Sequence, residues 1–344
     1  MYINRKLVEA LAASNIMKRL AGPNDDDRPV VFWHGMGDSY NSTAMQRVFN
    51  VVHDERPDKF VHSVFIDPDD SKDQQAGLVG KVEDQIETVC QQLKSVPELE
   101  NGFDFIGFSQ GGLFARAAIE KCDLKVHTLV TFGSPHAGVK DLPLCNDGDW
   151  LCKRRNAFLK KQVWKDSVQG SVISAQYFRD PQDYDNYLEH SSFLADANNE
   201  RPGQRNETYV ENLSRLNRLV LVQFDKDDTL VDKSSAWFYD EDRITGLTIP
   251  FNESDFYQYD CVGLKKLYDE NRIDYLSIDD RHMAISDDFI RDIVNTYLGK
   301  PWLAGDNDEE GQTISTSEPN NSPKSSSSVL SRISAILWSW MNLS

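Results

Sequence analysis

The run Gly107-Phe108-Ser109-Gln110-Gly111-Gly112 constrains this chain more than any other stretch. A short apolar segment, 103–108, leads into it, and strong helix formers, 113–120, follow it. That order predicts a strand, a tight turn and a helix, with a serine at the apex. The flanking glycines let strand and helix approach closely, and the serine hydroxyl is held out at the end of a sheet. G-x-S-x-G also occurs by chance, so the flanking elements carry the reading. With them, the stretch reads as the nucleophile elbow of a serine hydrolase.

The neighbouring sequence fits such a sheet. Residues 30–33 form a continuous apolar run, as expected of a strand buried on both faces. Further strands are expected at 62–66, 125–132 and 218–224, and near 274–277. Helices are expected at 82–93 and 287–298. Strands alternating with helices argue an α/β fold, mainly parallel, with helices on both faces. The stretch 134–217 is too long for one crossover. Its aromatic residues, among them Trp150, Phe158, Trp164, Tyr177, Phe178 and Phe193, predict an inserted helical cap over a greasy substrate; the alternative is extra helices that extend the core.

The domain plan is therefore a charged leader over 1–27, a catalytic domain over 28–303 with the insertion at 134–217, a linker over 304–328 and a short apolar tail over 329–344. The leader lacks the apolar core of a secretory signal. The linker is rich in Ser, Asn, Asp and Glu, a composition that stays disordered. The tail is shorter than the roughly 20 residues needed to span a bilayer; its two tryptophans suit contact with a membrane surface. A net charge of −18 disfavours nucleic acid and anionic membranes as partners.

A serine hydroxyl needs a base in reach, and the base needs an acid to fix its tautomer. In α/β-hydrolases these follow in the order serine, acid, histidine. Of the seven histidines, His282 alone lies beyond the late strand 218–224. Four aspartates follow that strand: Asp225, Asp227, Asp228 and Asp232. The apolar residues before Asp232 offer its carboxylate an anchor, but spacing leaves the choice open. Oxyanion donors are expected from the N–H groups of Gln110, after the nucleophile, and Met36, in the Gly-rich loop His34-Gly35-Met36-Gly37.

Five cysteines permit two disulfides, Cys90–Cys122 and Cys145–Cys152, with Cys261 left free. Five buried thiols in a reducing compartment is the other reading. Glycosylation sequons occur at Asn41, Asn206, Asn212, Asn252 and Asn342.

Taken together, His34-Gly-Met-Gly-Asp-Ser39, the elbow, Phe132-Gly-Ser-Pro-His-Ala-Gly138 and Phe193-Leu-Ala-Asp196 resemble the palmitoyl-protein thioesterases, specifically their lysosomal type 1 branch. The resemblance extends over about residues 29–302. It implies an α/β-hydrolase fold and release of long-chain fatty acids from S-acylated cysteines of proteins or peptides, with no metal or organic cofactor. It implies Ser109 as nucleophile, His282 as base and, among the four aspartates, Asp232 as acid. Met36 and Gln110 match its oxyanion positions, the four paired cysteines its disulfides, and Asn206 one of its glycosylation sites. It also implies a cap that holds the acyl chain, a monomer, and a lysosomal, vacuolar or secreted protein. The paired cysteines often found near residues 39–41 in that family are absent here. A lipase, an acyl-CoA thioesterase and a catalytically dead hydrolase used for binding are the competing readings.

Overall fold

Along the strands, alternate side chains enter two different cores, so both faces of the sheet must be covered. Val31 and Trp33 join one apolar cluster, and Val30 and Phe32 join the other. Leu219 and Leu221 likewise separate from Val220, Val222 and Phe224. The computed structural model, which describes residues 28–141 and 160–299, builds this pattern into a sheet. Its strands are β1 (Val30–Trp33), β2 (Val61–Ser63), β3 (Phe103–Phe108), β4 (Val126–Phe132) and β5 (Arg218–Phe224). A two-stranded antiparallel ribbon, β6 (Asp240–Glu241) and β7 (Thr248–Ile249), stands apart, and β8 (Ile273–Ile278) closes the sheet edge. The order is β2-β1-β3-β4-β5-β8, and every pairing is parallel. This is the α/β-hydrolase architecture expected from the elbow and its neighbours.

Helix α1 (Thr43–Glu55) was not foreseen. Ser42 caps it by accepting from the Met45 N–H at 3.1 Å, and Met45, Val48, Val51 and Val52 form its buried stripe. Helix α2 (Val82–Ser95) and the elbow helix α3 (Gln110–Cys122) cover the other face. The last helix, α4 (Asp287–Tyr297), packs beside α1 and is capped by Ser286. Second-strand residues begin earlier and end sooner than the 62–66 expected.

Cys90 on α2 and Cys122 at the end of α3 are joined by a disulfide. Cys261 is a free, buried thiol, pushed up to about 12 by burial. Cys145 and Cys152 lie outside the described residues, as do the leader, linker and tail.

The described part of the insertion contains short helical turns, including Ile173–Tyr177, Tyr184–His190 and Leu194–Ala197. Its aromatics turn inward. Phe193 and Tyr177 meet the Phe114 ring edge-on at 5.9 and 6.4 Å. Tyr177, Tyr187, Phe193 and Leu194 belong to the main core. Burying such side chains stabilises the fold by roughly 1.5–3 kcal/mol each. These residues extend the core, while Val163, Val172, Ala175 and Phe178 form a small cluster of their own. Trp150 and Phe158 lie outside the described residues.

Candidate active site

Ser109 sits between β3 and α3 with φ 50° and ψ −123°, a conformation few non-glycine residues adopt. Close packing enforces it. A Cβ on Gly107 would lie 2.3 Å from the Gly112 Cα, and one on Gly111 would lie 2.3 Å from the His34 carbonyl oxygen. A Cβ on Gly112 would strike the Ser134 hydroxyl. Ser109 N–H donates to Phe132 O at 2.7 Å, tying the turn to the end of β4.

The imidazole of His282 faces the serine. Its Nε2 lies 2.9 Å from Ser109 Oγ. Its Nδ1 lies 2.6 Å from Asp227 Oδ2. A carboxylate accepts only, so Nδ1 carries the proton and Nε2 is free to accept from the serine. The ring packs edge-on against Phe224, 5.7 Å between centres. Gly133 leaves it room: a Cβ there would lie 3.0 Å from His282 Cε1.

The acid in reach of His282 is thus Asp227, which corrects the expectation of Asp232. The cause lies in how the two loops are joined. Asp225 N–H donates to Ile278 O, and Lys226 N–H donates to Asp280 O. These bonds lay the turn after β5 along the loop after β8, which carries His282. Asp227 Oδ1 accepts from the Thr229 and Leu230 N–H groups at 2.9 and 2.8 Å, which aims Oδ2 at the ring. The Asp227 side chain is 1% exposed; that of Asp232 is 38% exposed. Asp232 caps the turn Lys233–Trp237 through the Ser234 N–H and lies 4.0 Å from Lys140 Nζ.

Met36 and Ser109 line one cavity. Gly35 brings the Met36 loop against Ser109, since a Cβ on Gly35 would sit 3.4 Å from Ser109 Cβ. Gln110 opens α3, and its side chain is fixed at both ends: Nε2 donates to Gly77 O and Oε1 accepts from Tyr177 Oη, each at 3.1 Å. Tyr177 is thus one insertion residue tied to the elbow.

The cavity at Ser109 measures about 310 Å³, within the range of small-molecule sites. Ala44, Met45 and Val48 of α1, Phe108, and Met283, Ile285 and Ile290 give it apolar walls. Met36, Met45 and Met283 are all the methionines among the described residues, and all three line it. No described residue of the 134–217 insertion does, so its expected acyl-binding role finds no support in this lining. Among the described residues no cluster suits a metal ion.

Asn206 caps the helix Glu207–Ser214 by accepting from the Thr208 N–H at 3.0 Å. Asn212 is buried and donates to Glu120 O, which removes its sequon from the folded surface.

The family model described as palmitoyl protein thioesterase matches residues 29–282. The chain is 36% identical over 274 residues to palmitoyl-protein thioesterase 1 of Caenorhabditis elegans, covering 78% of this chain and 91% of that one. It is 28% identical over 246 residues to lysosomal thioesterase PPT2 of Rattus norvegicus, covering 70% and 76%. Among solved structures, the monoacylglycerol lipase of Paleococcus ferrophilus aligns at a TM-score of 0.39 and 15% identity, covering 78% of this chain and 94% of that one.

Proposed function

Because the chain belongs to the palmitoyl protein thioesterase family, we propose that it hydrolyses long-chain acyl thioesters of protein or peptide cysteines through an acyl-Ser109 intermediate. The observation that carries this reading is the Asp227–His282–Ser109 relay opening on an apolar cavity.

Ser109 Oγ attacks the thioester carbonyl while His282 Nε2 takes its proton. Asp227 stabilises the imidazolium that forms. The Gln110 and Met36 N–H groups receive the oxyanion. The C–S bond breaks, and His282 returns its proton to the departing thiolate. Water then attacks the acyl-serine by the same route, with His282 as base, and fatty acid leaves. The acyl chain lies between α1 and the His282–α4 segment. Methionine side chains fill irregular space and adapt to different occupants, so the three at this site suit acyl chains of more than one length.

The proposed setting is lysosomal, vacuolar or secreted; relatives named lysosomal thioesterases and the Cys90–Cys122 bridge support it. Asn206 is the proposed glycosylation position. The substrate is tested by comparing turnover of an S-palmitoyl peptide, palmitoyl-CoA and a triglyceride. The reading expects the peptide to be preferred; preference for the triglyceride would make the enzyme a lipase.

A further inference from the structure

A second histidine stands behind the oxyanion loop, and the mechanism above does not use it. His34 follows β1, is 4% exposed, and precedes Gly35 and Met36. Both of its ring nitrogens face oxygen acceptors. Nδ1 lies 3.0 Å from Gly35 O. Nε2 lies 3.0 Å from Asp73 Oδ2, at ion-pair distance though off the angle of a good hydrogen bond. A neutral imidazole carries one N–H and would turn a lone pair on one of these oxygens; an imidazolium donates to both.

Asp73 is held in its carboxylate form. It is fully buried, on the short helix Asp70–Ala76. Its Oδ1 accepts from the Ile66 N–H at 2.7 Å, and its Oδ2 from the Tyr40 N–H at 2.9 Å. It therefore gathers the oxyanion loop, the residues after it and the segment after β2 around one negative charge. A buried carboxylate without a cation costs several kcal/mol, and His34 is the cation within reach. Asp38, on the same loop, is the other charged group that acts on His34. The elbow helix brings the uncharged Gly111 against the His34 backbone.

We propose that His34 is an imidazolium locked to Asp73 and serves as a positioning residue that sets the Met36 N–H and places positive charge behind the oxyanion. The direction of titration agrees. Burial pulls His34 down, but Asp73 and the Gly35 carbonyl outweigh it, and the group ends above its ordinary value. For Asp73, burial pushes up, yet His34 and the two backbone donors hold it below the usual carboxylate range. The positive charge is therefore fully present at pH below the ordinary histidine value and is lost as pH rises through the higher folded value of His34. The catalytic part of this inference rests on the proposed thioesterase reaction; the protonation state does not.

The test has two arms. In the full chain, ¹⁵N shifts of His34 at pH 7 should report protons on both ring nitrogens; a neutral tautomer would overturn the proposal, whatever the substrate. With an S-palmitoyl peptide, His34→Gln and Asp73→Asn should each lower kcat by about tenfold or more, leave KM within about twofold, and remove the decline of kcat at alkaline pH. An alkaline decline that persists in His34→Gln, or a loss confined to KM, would also overturn it. If the wild-type chain turns over none of the thioesters, the functional reading fails while the ¹⁵N arm still decides the state of His34.

Discussion

Asp227 and Asp232 stand five residues apart after one strand, yet only one meets the histidine. Asp227 is buried, with one carboxylate oxygen occupied by two backbone N–H groups and the other by His282. Asp232 is half-exposed and caps a helical turn. Changing Asp227 to Asn should lower kcat by about 10³–10⁴-fold, because an amide no longer fixes the imidazole tautomer. Asp232→Asn should leave kcat within about threefold, since Asn still serves as a cap. Steady-state rates of the two variants check this directly. The serine and histidine were legible from the elbow and from chain order. The acid was not, because the choice depends on the bonds from Asp225 and Lys226 to the loop after β8. No local spacing among four aspartates encodes which one those bonds carry to the ring.

At the scale of elements, the strands read most clearly. Residues 30–33, 103–108 and 218–224 are bounded in the fold as the mainly apolar runs bound them, because strands buried on both faces are apolar nearly throughout, with Asp104, Arg218 and Gln223 the polar exceptions. Helix α1 went unread, although Ser42 is a good cap and Met45, Val48, Val51 and Val52 repeat at helical spacing. That omission mattered, since α1 walls the cavity at Ser109. The aromatic insertion drew the acyl site instead, yet Tyr177, Tyr187 and Phe193 pack in the main core. A bulkier residue on α1 tests the assignment. Val48→Trp should fill the cavity, cutting kcat/KM for palmitoyl thioesters by more than tenfold while short acyl thioesters keep most of theirs. Equal losses at every chain length would place the acyl chain elsewhere.

For the molecule as a whole, buried charge sets how stability follows pH. Arg116 and Glu120 are both fully buried, 2.8 Å apart on the elbow helix. Burial pushes Glu120 up, to about 7, against the pull of Arg116. Asp104, buried beneath Arg28 and Lys59, is likewise raised to about 6. An acid whose folded value is raised binds its proton more firmly in the native state. Glu120 and Asp104 should therefore contribute more stability as pH falls from about 7 toward the ordinary carboxylate range, whereas His136 and His62, held below the ordinary histidine value by burial, work the other way. Between pH 7.5 and 5 the melting temperature of the wild-type chain should rise relative to that of Glu120→Gln. An unchanged slope in the variant would assign the effect to other groups.

If Ser109 carries the acyl group during turnover, acid quenching with an S-palmitoyl peptide traps it there. Mass spectrometry of the quenched, digested protein should find palmitate on the peptide containing Ser109. Ser109→Ala should show neither adduct nor turnover. Turnover that continues in Ser109→Ala, or an adduct that maps to another residue, would contradict the account.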